Sequence, residues 1–221
     1  MIEVETFDER DQMYDAATRK IADALIVAAR RDGVAGFAAA GGSTPGPIYQ
    51  RLGATARVPW EKVLVTLTDE RQVPAESDDR NAKLVRRTLF RGAGNYATFV
   101  PLDGPNALID YPMQCAATLL GMGSDGHIAS IFPQGEGMME ARQGLGRVYE
   151  TQPDPLPAGA PYPRWTMSMA ALKASDCPIL AIVGEDKKAV IDGVMTGNAP
   201  ELPVADLIND PTFPLTIYWA P

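Results

Sequence analysis

The one histidine of this 221-residue chain, His127, lies in a glycine-rich segment, Gly-Met-Gly-Ser-Asp-Gly-His-Ile-Ala-Ser-Ile-Phe-Pro, that follows a short apolar run. Histidine is the side chain whose unperturbed pKa lies closest to neutral pH, which suits it to proton transfer. Asp125, two residues earlier, is placed to orient the imidazole. The spacing therefore predicts a general base with its own carboxylate; the alternative is a turn residue without chemistry.

A second glycine-rich turn, Gly41-Gly-Ser-Thr-Pro-Gly46, lies between a predicted strand and a predicted helix. Glycines such as Gly42 let the backbone approach a ligand closely, while Ser43 and Thr44 offer hydroxyl groups. The start of the helix adds free N–H groups and the positive end of the helix dipole. This turn is predicted to cradle a phosphate, with a plain capped turn as the alternative. It is not a P-loop, because the Gly-Lys-Ser/Thr ending is absent.

Charged side chains occur where further predicted strands begin or end. In the triplet Asp69-Glu70-Arg71, we expect Arg71 to face an anionic ligand and Asp69 or Glu70 to hold sugar hydroxyls; the alternative is a structural acid–arginine pair. Arg164 stands at the mouth of another strand. Lys187 falls in the first turn of a helix, where it opposes the dipole unless an anion is near. We expect these cations to meet at the carboxyl ends of strands in one shared sheet.

Several other site classes are disfavoured by the sequence. The string Gly121-x-Gly-x-x-Gly126 matches the dinucleotide fingerprint, but Pro133 stops any helix within two turns, so NAD binding is not expected. A G-x-S-x-G nucleophile turn is absent. With no second histidine and no paired cysteines, no metal site is predicted. Cys115 and Cys177 lie in apolar runs and are interpreted as buried free thiols.

An alternation of strands and helices has to position these residues. Strands are predicted at 4–7, 36–40, 63–67, 115–120, 178–183 and 215–219, and helices from an Asp8 cap to Gly33 and at 47–52, 81–90, 170–174 and 185–195. This order predicts one domain over residues 1–221 with an α/β fold: a doubly wound, mainly parallel, Rossmann-like sheet with helices on both faces. Ligands of such sheets bind beyond the carboxyl ends of the strands. The Pro/Gly-rich stretch 153–163 is predicted to be a surface loop.

Composition limits the partners. The net charge of −8 argues against binding nucleic acid. No apolar stretch is long enough to cross a membrane, and the charged N-terminus lacks the pattern of a signal peptide, so we expect a cytoplasmic protein. If the ligand is an anion, the cations must be concentrated at one site, because the overall field does not attract it.

Five motifs in order resemble the 6-phosphogluconolactonases: Gly41-Gly-Ser-Thr-Pro, Asp69-Glu-Arg-Gln-Val-Pro74, the histidine segment 121–133, Arg164-x-Thr-x-Ser168 and Gly184-x-x-Lys187. The resemblance covers nearly the whole chain, from about residue 4 to residue 219. It implies a deaminase/lactonase-type fold and hydrolysis of 6-phospho-D-glucono-1,5-lactone to 6-phosphogluconate, in the oxidative branch of the pentose phosphate pathway. The partner it implies is the phosphorylated sugar lactone. We expect a monomer or small homo-oligomer that needs no cofactor.

The resemblance also assigns roles to residues. His127 is expected to activate the attacking water, and Asp125 to orient His127. Phosphate and sugar are expected to be held by Gly42, Ser43, Thr44, Asp69, Arg71, Arg164 and Lys187.

Two other functions remain open. Glucosamine-6-phosphate deaminases share the fold, but resemble Asp-Glu-Tyr where this chain has Asp69-Glu-Arg71, and carry Asn-Glu-Pro where it has Ser130-Ile-Phe132. A non-catalytic sugar-phosphate sensor would carry a basic DNA-binding segment, whereas this chain is expected to begin with the first strand of the fold. Two features depart from the lactonase pattern: segment 102–115 is short, as if a connecting helix were lost, and the usual Ser-Asn is Arg80-Asn81.

Overall fold

The computed structural model describes residues 2–158 and 160–221. Its strands are β1 (Glu3–Thr6), β2 (Ala35–Ala39), β3 (Val63–Leu67), β4 (Asp69–Arg71), β5 (Thr98–Phe99), β6 (Ala117–Leu120), β7 (Gly135–Glu136), β8 (Val148–Pro153), β9 (Arg164–Met167), β10 (Pro178–Val183) and β11 (Thr216–Ala220). Its helices are α1 (Arg10–Arg31), α2 (Pro45–Gly53), α3 (Asn81–Thr88), α4 (Met138–Gln143), α5 (Met169–Lys173), α6 (Glu185–Met195) and α7 (Ala205–Ile208), with single 3₁₀ turns at Trp60–Lys62 and Gly92–Tyr96.

Seven strands form one sheet in the order β1-β11-β10-β6-β2-β3-β5, and every adjacent pair is parallel. From β2 the chain moves outward through β3 and β5, and from β6 it moves outward in the other direction through β10 and β11. The sheet is therefore doubly wound, as predicted, and its direction reverses between β2 and β6. In such sheets the reversal opens a crevice at the carboxyl ends of the two strands.

Helix α1 covers one side of this sheet with a continuous apolar stripe. Met13, Ala17, Ile21 and Leu25 recur every four residues and are fully buried. The helix begins one residue later than predicted: its N-cap is Glu9, whose side chain makes no capping hydrogen bond, so the prediction that Asp8 caps it is wrong. The helix ends at Arg31, and Gly33 follows with a φ of +80°, which a glycine adopts without strain.

A second, smaller sheet has the order β4-β9-β8-β7 with antiparallel pairs. The expectation that the cations meet at the carboxyl ends of strands in one shared sheet is therefore wrong: Arg71 and Arg164 lie on this smaller sheet, whereas Lys187 follows β10 of the large sheet. Arg164 begins β9 and pairs directly with Arg71 of β4. Because β4 continues the chain immediately after β3, the small sheet grows from the carboxyl edge of the large one, and it carries Arg164 to that edge.

Segment 102–115, which joins β5 to β6, contains no helix. The guanidinium of Arg147 holds it in place by donating to the carbonyl groups of Leu108, Tyr111 and Pro112 at 2.7–2.9 Å. The shortened connection therefore leaves the order of the parallel strands intact.

Three further predictions concern the surface loop at 153–163, the two free cysteines and the lack of a membrane-spanning segment. Residues 154–158 and 160–163 form no helix or strand, while Pro153 ends β8; Gly159 of the predicted loop lies outside the described residues. Cys115 is buried and Cys177 half-buried, both as free thiols, and burial raises the pKa of Cys177 to about 11. Among the described residues, no helix has the length and apolar character needed to span a bilayer.

Candidate active site

A cleft of about 240 Å³ opens at the carboxyl ends of β2 and β6, where the winding of the sheet reverses. It gathers every residue that the sequence assigned to catalysis or to phosphate and sugar binding except two: Asp125, which contacts His127 from outside the cleft lining, and Glu70, which was the alternative to Asp69. Those lining residues are Gly42, Ser43, Thr44, Asp69, Arg71, His127, Arg164 and Lys187.

His127 and Asp125 form a close pair on the loop that follows β6. Nδ1 of His127 lies 2.6 Å from Oδ1 of Asp125, and the backbone N–H of His127 donates to the same oxygen at 3.2 Å. Gly126 allows this tight turn with a φ of +78°. Since Nδ1 is held by the carboxylate, Nε2 is the nitrogen available for proton transfer in the cleft.

The electrostatics of Asp125 fit a carboxylate that stays charged beside an imidazole. Partial burial acts to raise the pKa of Asp125, but the hydrogen bonds and the charge of His127 outweigh it, and the pKa lies below its ordinary value. A charged Asp125 favours the imidazole tautomer with its proton on Nδ1 and stabilises the imidazolium that follows proton uptake.

Arg164 and Arg71 present guanidinium groups that are only partly satisfied. Arg164 is 4% exposed and donates to the carbonyl of Ala160 at 3.0 Å and to Oγ of Ser130 at 3.4 Å. Arg71 donates from Nη1 to the carbonyl of Asp79 at 2.6 Å. In both arginines the buried Nε has no hydrogen-bond partner among the described residues. Buried donors without acceptors are costly, and two of them at one cleft indicate a place for an anion.

Burial also weakens the hold of Arg164 on its proton. Desolvation lowers its pKa; the charge of Asp69 opposes this shift, and the charge of Arg71 adds to it. The guanidinium groups of Arg71 and Arg164, which come from directly paired strand residues, repel one another unless a negative charge lies between or beside them.

The acidic pair Asp69-Glu70 divides into two different roles. Asp69 lines the cleft, and its Oδ2 accepts from Oγ of Ser130 at 2.6 Å while Oδ1 accepts from Thr68 at 3.3 Å. Of the two carboxylates that the sequence offered for holding sugar hydroxyls, Asp69 therefore lines the cleft and Glu70 does not.

Glu70 instead holds the start of α3. It is 1% exposed and accepts from the backbone N–H groups of Asn81 and Ala82 at 2.8 and 2.9 Å. Arg80, which replaces the usual serine, adds a contact to Glu70 at 3.3 Å. The departure from the lactonase pattern thus supplies a charge partner for a buried carboxylate.

The glycine-rich turn after β2 lies at the start of α2, as predicted. Thr44 is the N-cap residue, but its side chain makes no capping hydrogen bond, and Gly42 has a φ of +96°. The amide of Asn81 packs against Gly41 so closely that a Cβ there would overlap with it. Asn81 also lines the cleft and donates to the carbonyl of Asp69 at 2.8 Å. Sequence analysis assigned no role to Asn81, although it noted the position beside Arg80.

Lys187 lies in the first turn of α6 and reaches the same cleft. Its neighbour Lys188 points elsewhere and pairs with Asp192 at 2.6 Å. Of the two lysines, Lys187 is therefore the one that lines the cleft. Its positive charge in the first helical turn opposes the helix dipole, and this arrangement fits an anion held between the starts of α2 and α6.

Phe132 is a site residue that sequence analysis used only to separate families. Its ring stacks on the imidazole of His127 with the centroids 4.1 Å apart, and the guanidinium of Arg164 lies 5.0 Å from the same ring. Among the described residues, no group of three or more histidine, cysteine and acidic side chains is arranged to hold a metal ion. What the site offers is one imidazole paired with a carboxylate, several cations and hydroxyl groups.

Comparison with known proteins gives consistent results. A family model described as glucosamine-6-phosphate isomerases/6-phosphogluconolactonase matches residues 8–214. The chain is 40% identical to a 6-phosphogluconolactonase of Caulobacter vibrioides, over 99% of this chain and 97% of that protein. It superposes on a 6-phosphogluconolactonase crystal structure from Shewanella baltica with a TM-score of 0.92 at 28% identity, covering 100% of this chain and 98% of the other. For a putative 6-phosphogluconolactonase from Neisseria gonorrhoeae the TM-score is 0.90 at 30% identity, with both chains fully covered.

Proposed function

Because the chain belongs to the glucosamine-6-phosphate isomerase/6-phosphogluconolactonase family, we propose that it hydrolyses 6-phospho-D-glucono-1,5-lactone to 6-phosphogluconate, with His127 as the general base. The observation that carries this proposal is the cleft at the reversal of the sheet. There the His127–Asp125 pair faces a glycine-rich turn, two arginines with unpartnered Nε groups and a lysine.

Water activation is the first step of the proposed reaction. Nε2 of His127 takes a proton from water as the water oxygen forms a bond to the lactone carbonyl carbon. A δ-lactone is an activated ester, so one positioned water and one base are sufficient without a covalent intermediate. Asp125 stabilises the imidazolium through its bond to Nδ1.

Ring opening completes the reaction. The tetrahedral intermediate re-forms its C=O bond and breaks the bond to the ring oxygen, which takes the proton from the His127 imidazolium. The product carries a new carboxylic acid and a new hydroxyl group. The carboxylic acid loses its proton to water at neutral pH, and His127 returns to its neutral form.

The other residues of the cleft bind the substrate. Phosphate lies at the turn formed by Ser43 and Thr44, where N–H groups of α2 and the nearby cations complement its charge. Asp69 accepts a hydrogen bond from a sugar hydroxyl. In a protein with a net charge of −8, this concentration of cations at one cleft selects an anionic sugar.

The amino-sugar deaminase is the alternative within the same family. Two residues favour the lactonase. Arg71 provides a cation where the deaminase pattern has a tyrosine, and Phe132 covers the imidazole of His127 with an apolar ring.

The wider setting is part of the proposal. One domain, residues 1–221, carries the activity as a monomer or small homo-oligomer, in the oxidative branch of the pentose phosphate pathway. The partner is the phosphorylated lactone and not nucleic acid, and the compartment is the cytoplasm, because a charged sugar phosphate does not leave a cell unaided.

Two assays run in parallel test the function. Lactone hydrolysis is followed by coupled formation of 6-phosphogluconate and corrected for spontaneous opening, and ammonia release from glucosamine 6-phosphate is measured beside it. We expect catalysis of the first and none of the second. Ammonia release without lactone hydrolysis would identify a deaminase, and binding of both sugars without turnover would identify a sensor.

A further inference from the structure

The ring of Phe132 contacts both the base and a cation of the cleft. It is 7% exposed, and its backbone N–H donates to Sδ of Met138 at 3.2 Å, which anchors the residue below the site. The imidazole of His127 lies on the ring at 4.1 Å with an angle of 22° between the planes, and the guanidinium of Arg164 lies at 5.0 Å.

Two independent constraints therefore act on the imidazole. The bond from Nδ1 to Asp125 fixes how the ring is turned within its own plane. The stack on Phe132 fixes the plane itself, because rotation about the Cβ–Cγ bond would drive the imidazole edge into the aromatic face. With both fixed, the direction of Nε2 is determined before substrate arrives.

The stack also acts unequally on the two protonation states of His127. The face of an aromatic ring carries partial negative charge and attracts a cation more strongly than a neutral group. Imidazole becomes imidazolium when it takes the proton from water. The contact therefore strengthens as the reaction proceeds, which accelerates turnover without tightening substrate binding.

We propose that Phe132 is a positioning residue for His127: its ring holds the imidazole plane and stabilises the imidazolium formed during turnover. The proposal rests on the base role of His127 stated above. The proposal gives the contact between Phe132 and Arg164 no part in catalysis. Experiments can therefore distinguish it from a role of Phe132 in anion binding.

Three variants test this inference. Phe132→Leu removes the aromatic face while keeping an apolar side chain, and Phe132→Tyr keeps the face. Phe99→Leu is the matched control: Phe99 is a partly buried phenylalanine on the edge strand β5, and it carries Arg86 at 4.5 Å outside the cleft. For each variant, kcat, KM, competitive inhibition by inorganic phosphate and Tm are measured.

For Phe132→Leu we expect kcat to fall about 3- to 30-fold, the rate equivalent of one cation–π contact. KM and the inhibition constant of phosphate should stay within about twofold, because no group in direct contact with the substrate is removed. Phe132→Tyr and Phe99→Leu should both keep kcat within about twofold, since neither loses the face over the imidazole.

The pH profile gives a readout that a merely structural role would not move. Losing the face that stabilises imidazolium should shift the acid limb of kcat/KM to lower pH in Phe132→Leu, and not in Phe132→Tyr. No variant removes a charged group that contacts His127 or lines the cleft with it; these groups are Asp125 on its own loop, Asp69 and Arg71 on β4, Arg164 on β9 and Lys187 on α6.

The outcomes separate this inference from the function. Unchanged kcat in a folded Phe132→Leu, or a rise in KM and in the phosphate constant with kcat unchanged, overturns the inference and leaves the lactonase intact. A fall in kcat of Phe132→Tyr at an unchanged Tm overturns it as well. If the leucine variant does not fold, the inference is judged on Phe132→Tyr alone, from its kcat and from the acid limb of its pH profile, each compared with the wild type. Full activity of His127→Gln would instead remove the base role on which the inference rests.

Discussion

Gly123 is packed so tightly against His127 that a Cβ at position 123 would overlap with the imidazole ring and with the carboxylate of Asp125. The hydrogen bond between these two side chains therefore passes through space that only a glycine leaves free. The lack of space for a Cβ explains why residue 123 is a glycine, although its backbone conformation does not require one.

Gly123→Ala should lower kcat about 10- to 100-fold, the cost of displacing a catalytic group by about an ångström. KM should change much less, because the groups proposed to hold phosphate are other residues of the cleft. The control is Gly193→Ala in α6, where a Cβ meets open space. Wild-type kcat in a correctly folded Gly123→Ala would show that the pair tolerates displacement.

His127→Gln should lower kcat about 10²- to 10⁴-fold, the usual contribution of a general base. No other histidine is present to take over, since the chain has only one. Steady-state rates with the phosphorylated lactone, corrected for spontaneous hydrolysis, measure the effect, and an unchanged Tm excludes unfolding as its cause. Retention of more than about a third of the turnover would contradict the role.

Lys187→Ala should raise KM for the phosphorylated lactone far more than for unphosphorylated gluconolactone, because only the former loses a charge-assisted contact. Inorganic phosphate should compete with substrate in the wild type and more weakly in the variant. Lys188→Ala is the matched control, since the neighbouring lysine pairs with Asp192 outside the cleft. Equal effects on the two lactones would place Lys187 away from the phosphate.

Ser130→Ala should lower the free energy of unfolding by about 1–3 kcal/mol, because the buried carboxylate of Asp69 loses its donor at 2.6 Å. Ser175→Ala is the counterpart: that serine is 4% exposed, and its Oγ has no partner among the described residues. Removing an unsatisfied buried hydroxyl should leave stability unchanged or slightly raised. Urea unfolding of the three proteins measures the difference, and equal losses in both variants would refute the explanation.

Activity should survive prolonged incubation with EDTA, because the proposed water activation uses the imidazole and not a metal ion. The described residues offer no cluster of three or more potential ligands. Rates before and after chelation and gel filtration measure this. Loss of activity that returns on adding zinc or magnesium would rule out the scheme.

Much of the fold could be predicted from the sequence because its signals are local. The parallel strands are short apolar runs, and β3, β10 and α6 have the predicted bounds. The pairing of His127 with Asp125 is local as well, since the two residues lie two positions apart on one turn, which Gly126 allows with a φ of +78°. The misplaced cap at Asp8 shows the limit of such signals, because the helix begins after Glu9, whose side chain makes no capping hydrogen bond, although Asp8 is the better cap residue.

The orientation of Asp69 and Glu70 depended on one structural fact, that residues 69–71 form a strand. Side chains alternate along a strand, so Asp69 and Arg71 face the cleft while Glu70 points to α3. Three polar residues carry no recognisable strand pattern by themselves. Their conformation comes from pairing with β9, whose residues lie more than ninety positions away in the sequence.

The sequence by itself determined the parallel strand framework, the glycine-rich turn before α2 and the histidine–aspartate pair, because each depends on neighbours within a few residues. Only the tertiary structure decided that Arg164 reaches the cleft from a second, antiparallel sheet, and that Phe132 lies flat on His127. The position of Arg164 depends on the pairing of β9 with β4, in which one strand register is more stable than the others. The stacking of Phe132 on His127 depends on the burial of the Phe132 ring in the folded protein.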